Sequence, residues 1–347
     1  MPAKFFSADS YWNTPLPESP ALHPDNARLL DMSRWSAVGP GLHINLHAWT
    51  IPLFEADSST PLHAVGRHLP DETVGARFLA NSKPLLHLDH PVGHHRSFGP
   101  AIPIPAVARP DGQIDAHLAI IDPVRRLAWD MWAAHQRPDG TWASCTGISY
   151  SLDGPGVFDP TEFAIRNGES IHLYGPGRAT GVPIIAGLIL HEEILAGVIE
   201  HKLAFAAKAS GLLAHHFPPT TWTDGGVPGG IPAGAILQLD PALDLSTFKL
   251  TPAALIVAKA LQTYGAVLTD YAGNITLYGE GLWSDPAGRS WNETLNEDAL
   301  FGIPFEHYRY LAPEATGQTL VEKGMIPLPH DAITRAYRHF TGIPILA

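Results

Sequence analysis

The chain has 347 residues, 45% of them hydrophobic and 16% charged, which supports a packed core and excludes a disordered chain. Its net charge is −12 and it carries no Lys/Arg-rich run, so nucleic acid is not an expected partner, because phosphate binding needs a basic footprint. No stretch approaches the ~18 apolar residues of a membrane helix, so no membrane partner is expected either.

The opening MPAKFFSADSYWN lacks the apolar region of a signal peptide. The expected compartment is therefore cytoplasmic, or extracellular if a leader has been removed. Residues 1–20 are aromatic and Pro-punctuated, and read as an extended arm anchored by Phe5, Phe6, Tyr11 and Trp12. His23 to Trp35 reads as one short helix. From Gly41 the pattern changes to a period of two. Leu42, Ile44, Leu46 and Ala48 take one face of a strand, and His43, Asn45 and His47 take the other. Lys83 to Val107 is rich in Pro and His, and its Ile102-Pro103 suits only an edge strand or a connector.

Gly112 to Gly154 holds three runs rich in Trp, Ile, Thr and Tyr: His117–Asp122, Arg126–Ala133 and Thr141–Tyr150. Pro123, Pro138-Asp139-Gly140 and Asp153-Gly154 cut them, which predicts an antiparallel meander. The single cysteine, Cys145, falls in the third run, permits no intramolecular disulfide and reads as a buried thiol. A hairpin is expected around Asn167-Gly168. Glu192 to Ser210 has apolar residues at helical spacing, early acids, late lysines and Gly211 after it, and reads as the clearest helix. His215 to Gly230 is a breaker-rich loop, Ile231 to Leu243 a strand, and Thr251 the N-cap of a helix with Pro252 at its first position. Ala266 to Glu280 reads as a hairpin turning at Ala272-Gly273-Asn274. No chemistry is legible from Leu282 onward.

The stretches YWNTPLP, DAHLAIIDP with WDMW, DGTWAS, RATGVPIIAGL, GVIEHKLAFA, IPAGAILQLDP, LTPAALIVAKALQTYG and VLTDYAGNITLYGE follow one another over most of the chain. In that order they resemble a widespread, largely uncharacterised family of mostly secreted bacterial β-rich proteins. The resemblance implies a shared fold and transfers no activity. In that family Glu often stands between the aromatics of the second strand; Asp130 fills the place here, with the same charge and a shorter reach.

The best site candidate lies in the meander. Asp115 and His117 are two apart, so on a strand they face one way with Cβ atoms about 6–7 Å apart. Asp130, on the next strand, can approach either, and a carboxylate that orients an imidazole makes it a general base. The plainer alternative is a turn-capping Asp and a His bonded to backbone. Arg178 can fork an anionic group or simply cap the structure. His43, Asn45 and His47 can line a groove, although His43 and His47, about 13 Å apart on a strand, cannot share a metal. Trp129, Trp132 and Tyr150 can stack sugar rings, as can Trp49, Trp142 and Trp222, or be ordinary core. His201 reads as a core histidine. The cluster His87, His90, His94 and His95 raises a metal, but no HExxH or CxxC accompanies it, and no cofactor is expected. No G-x-S-x-G, Walker A or dinucleotide fingerprint is present.

The expected fold is a mainly antiparallel β protein, a sandwich or jelly-roll-like body with two or three peripheral helices, in one compact unit over 1–347. The expected function is a carbohydrate-active enzyme, a polysaccharide lyase or glycoside hydrolase. Its chemistry would use Asp115, His117 and Asp130, with Arg178 on an anion. The alternatives are a small-molecule isomerase or cyclase with an enclosed pocket, and a lectin-like binding protein.

Overall fold

The structure is a computed structural model that describes residues 4–35, 39–67, 101–144, 146–157, 178, 180–216, 220 and 226–313. Over these the protein is mainly β, with helices α1 (Asn26–Ser33), α2 (His191–Ala196) and α3 (Pro252–Thr263). The strands of the first half are β1 (His43–Asn45), β2 (Leu53–Glu55), β3 (Leu62–His63), β4 (Val65–Arg67), β5 (Ile102–Pro103), β6 (Leu118–Asp122), β7 (Leu127–Trp132), β8 (His135–Gln136), β9 (Trp142–Ser144) and β10 (Thr146–Ser151). Those of the second half are β11 (Leu203–Ala207), β12 (Ser210–His215), β13 (Ile231–Ala233), β14 (Ile236–Leu239), β15 (Ala266–Tyr271), β16 (Thr276–Tyr278) and β17 (Tyr308–Tyr310).

Two main sheets carry the architecture. The larger has the order β1-β16-β11-β15-β14-β17, and the smaller β10-β7-β6-β2. The meander forms as its pattern predicts, with β6 antiparallel to β7 and β7 antiparallel to β10. Its third run splits: β9 leaves to pair with β4 and β8, and β10 returns to β7. Ile102-Pro103 is indeed an edge, paired only to β3 among the described residues.

The sheets are mixed, not antiparallel. β1 runs parallel to β16, β11 to β15, and β2 to β6. These parallel neighbours are distant in the chain. Between β11 and β15 the chain passes through β14 and α3, and so re-enters in the same direction. The expected hairpin of Ala266 to Glu280 does not form, because β11 lies between β15 and β16, parallel to one and antiparallel to the other.

The expected helix Glu192–Ser210 is also corrected. α2 stops at Gly197, whose φ of 83° is left-handed, and the rest becomes β11 and the start of β12. Every residue of β11 is buried. A strand covered on both faces shows no period-two alternation, so its apolar run is indistinguishable from a buried helix by pattern alone. The helix at Thr251 does form, with its hydroxyl accepting from Ala254 N at 3.2 Å.

Three cores follow from strand alternation. Leu203, Phe205, Leu237 and Leu277 face α3 and α1 in the first. Ala204, Ala206 and Val267 of the larger sheet meet Ala119, Ile121 and Ala128 of the smaller in the second. Leu118, Ile120, Trp129 and Met131 form the third, behind the smaller sheet. Val182, Ile184, Ile185 and Leu188 fill the second core. Gly187 lets this layer lie against β11: its φ is 72°, and a Cβ there would sit 2.4 Å from Ala204 N.

The N-terminal residues form a run of turns on this body. Phe6 and Trp12 are buried, Trp12 Nε1 donates to Gly156 O at 2.7 Å, and Lys202 Nζ donates to Tyr11 O and Thr14 O.

Candidate active site

The alternation of β7 turns Asp130 and Trp132 toward the second core and Trp129 toward the third. Beside them the chain reverses through Asp115-Ala116-His117. Ala116 and Ala133 both adopt positive φ, 38° and 51°, and the reversals lock together through Ala133 N to Asp115 O (2.7 Å) and Ala134 N to Ala116 O (2.9 Å). Two non-glycine residues in this region cost about 1–3 kcal/mol each, strain that clusters at functional sites. They aim Asp115 at Trp132, whose indole N–H donates to Asp115 Oδ1 at 3.2 Å.

The larger sheet supplies the opposing groups. The register of β11 on β15 slips between Phe205↔Leu268 and Ala206↔Asp270, leaving Thr269 as an extra residue. This bulge turns both Thr269 and Asp270 to the site side. Tyr278 on β16 donates its hydroxyl to Asp270 Oδ2 at 3.2 Å, and Tyr271 N donates to Asp270 Oδ1 at 3.0 Å. Burial, and then the Asp270 charge, holds the Tyr278 phenol well above its usual range, so it stays a donor.

Asp115, in the turn before β6, and Asp270, on β15, therefore reach one site. Burial pushes the Asp115 carboxyl up, the nearby His117 opposes that, and the charges of Asp270 and Asp111 push it further. Asp111 is itself fixed by Thr50, whose N and Oγ1 donate to Oδ2 at 3.1 and 2.7 Å. Asp115, Trp132 and Asp270 are half-buried and Tyr271 is exposed, whereas His117 and Tyr278 are buried. The carboxylates thus stand at the open end of a polar cluster with its floor inside the protein.

Arg178 forms that floor at 1% exposure. Its Nη1 donates to Thr269 Oγ1 at 2.5 Å and its Nη2 to Ile184 O at 2.9 Å, and its guanidinium lies 4.2 Å from the Tyr278 ring centroid. Asp130 is fully buried; it accepts from Tyr150 Oη at 2.6 Å and from Ile184 N at 2.7 Å. Burial pushes Asp130 up to about 7, against those two bonds and the charge of Arg178. For Asp115 and Asp130 alike, burial is the largest cause of the upward shift.

The sequence candidates therefore divide. Asp115, His117 and Trp132 come together. Asp130, Tyr150 and Arg178 form the buried floor, with Tyr150 under Phe6 at 6.3 Å between ring centroids. Asn45 sits beside Tyr278 in the parallel register of β1 and β16, with Oδ1 accepting from Thr276 Oγ1 at 2.8 Å. His43 Nδ1 lies 3.2 Å from Thr276 Oγ1, and its Nε2 lies 3.8 Å from Glu297. β1 ends at Asn45, so His47 is not part of the expected face: it is exposed and lines a separate cleft. Trp129 is buried in the third core, facing away from Asp130, as the alternation of β7 requires. His201 is half-buried and bonded at both nitrogens, to Lys202 O (2.8 Å) and Glu193 Oε1 (3.0 Å).

Asp270, Tyr278 and Asp111 escaped the sequence reading. Asp270 and Tyr278 were hidden by the hairpin expectation, which pairs their two strands directly and gives no sign of the bulge at Thr269. Cys145, Trp222, the Asn167-Gly168 pair and the His87–His95 cluster lie outside the described residues. Among the described residues, no three His, Cys, Asp or Glu side chains are placed to hold a metal ion, and no helix is long and apolar enough to cross a membrane.

Comparison with protein-family models, curated proteins and solved structures gave no match.

Proposed function

We propose that this protein is a carbohydrate-active enzyme of the glycoside hydrolase type. The supporting observation is the pairing of Asp115 with Asp270 at a half-open site, where burial and carboxylate repulsion raise Asp115 while Tyr278 hydrogen-bonds Asp270. Environments that push two carboxyls apart separate an acid from a base. Asp115 donates its proton to the glycosidic oxygen as the C–O bond breaks. Asp270, held by the Tyr278 hydroxyl, attacks the anomeric carbon or takes a proton from the water that does so. Trp132 and Tyr271 flank the pair and offer ring faces to a sugar. We read the two sheets facing across the second core as a mixed-sheet variant of a sandwich, with the site at its open end.

Elimination chemistry fits less well. A lyase needs a cation free to neutralise a uronate, and Arg178 is buried, with its guanidinium engaged by Thr269, Ile184 and the Tyr278 ring. The test is turnover on an array of purified polysaccharides. New reducing ends without unsaturated products, abolished in Asp115→Asn, are expected. Unsaturated products, or full activity in Asp115→Asn, would overturn the assignment.

A further inference from the structure

A cleft lies beyond the C-terminal end of β16, past Glu280, and shares no residue with the Asp115–Asp270 site. Its volume is about 360 Å³, and its lining includes His47, Trp283, Asp285, Arg289 and Asn292. The chain here reads GLWSDPAGRSWNET, with a turn closed by Gly288 at a φ of 72°.

This loop is held rigidly from beneath. Arg289 donates Nε and Nη2 to Asp285 Oδ1 at 3.0 and 2.7 Å, and Nη2 also to Glu280 Oε1 at 2.9 Å. Glu280 Oε2 accepts from His191 N at 3.0 Å, and Trp291 Nε1 donates to Glu280 O at 2.8 Å. Trp291 is buried against His191, with ring centroids 5.2 Å apart at 70°. On this fixed base Trp283 is left 54% exposed and Asn292 is exposed beside it. A large aromatic held in the open by an ordered ion network is pre-organised to stack a ligand.

We propose that this cleft binds a neutral sugar unit. Trp283 offers a face to the apolar side of a pyranose, and Arg289 Nη1, Asn292 and His47 present donors and acceptors for its hydroxyls. The charge balance selects against an anion, because Arg289 is outnumbered by Asp285 and Glu280. The site makes no use of the Asp115 chemistry, so it stands or falls separately from the hydrolase reading.

Saturation-transfer NMR and calorimetry with cellohexaose, xylohexaose and mannohexaose test it, with trigalacturonate as the anionic control. Asp115→Asn protein, run beside wild type, removes interference from turnover. At least one neutral hexaose is expected to bind both proteins. Trp283→Ala and Asn292→Ala, both at exposed positions, should each weaken that binding, the former by about tenfold or more. Failure of all three hexaoses to bind, unchanged binding in Trp283→Ala, or preference for trigalacturonate would each overturn the proposal. Absence of turnover on any glycan would leave it standing.

Discussion

At the scale of single residues, the proposed chemistry rests on the environment of Asp115 and Asp270. Asp115→Asn keeps the shape and removes the transferable proton, so kcat on a verified glycan should fall by about 10²-fold or more with the thermal midpoint little changed. Asp130 is predicted to act on stability instead. Its carboxyl is raised to about 7 from the ordinary 3.8, so the folded state holds a proton that the unfolded chain releases first. Its contribution is fully present below about pH 4 and is lost as pH rises through about 7. Denaturant titrations between these limits should show wild-type stability falling by roughly a few kcal/mol, and Asp130→Asn should flatten that fall. An unchanged slope in the variant would mean that Asp130 does not hold its proton. Asp130 and Trp132 were legible in the sequence, because period-two alternation reports which side chains of β7 share a face; Asp115 and His117 were expected to share a strand face, whereas a reversal at Ala116, before β6 begins, places them. Asp270 and Tyr278 were not legible, because strand pairing across a crossover leaves no local signal.

At the scale of elements, misreading β11 had consequences beyond its own residues. Taken as helix, LAFAA removed the strand that separates β15 from β16, and the hairpin reading then followed. Alanine-rich runs favour helix by local propensity, and burial on both faces overrides it. The meander and the Thr251-capped helix were legible because turn dipeptides, an N-cap and a first-turn proline act locally. The layer of residues 182–190 depends on close backbone approach to β11 at Gly187. Gly187→Ala adds left-handed strain and a clash with Ala204 N, and should cost about 2–5 kcal/mol by chemical denaturation. A loss under about 1 kcal/mol would show that the layer is not tightly seated there.

At the scale of the whole molecule, the N-terminal residues close the second core from outside and touch the site floor through Phe6 and Tyr150. Trp12→Ala removes a side chain that is 1% exposed and its bond to Gly156, and should cost about 3–5 kcal/mol in the same measurement. Composition made a packed β-rich body legible, but not the mixed sheets, whose parallel pairs join strands far apart in the chain. Nor was the cleft at Trp283 legible, since its lining joins His47 to a loop more than 200 residues later. The central claim, that Asp115 works as an acid beside Asp270, is tested most directly by the pH dependence of kcat/KM on a glycan that wild type turns over. The account predicts a rate that falls as pH rises through a carboxyl titrating above its ordinary range. A rate that keeps rising through neutral pH, as removal of a substrate proton by a histidine or tyrosine base would give, would contradict it.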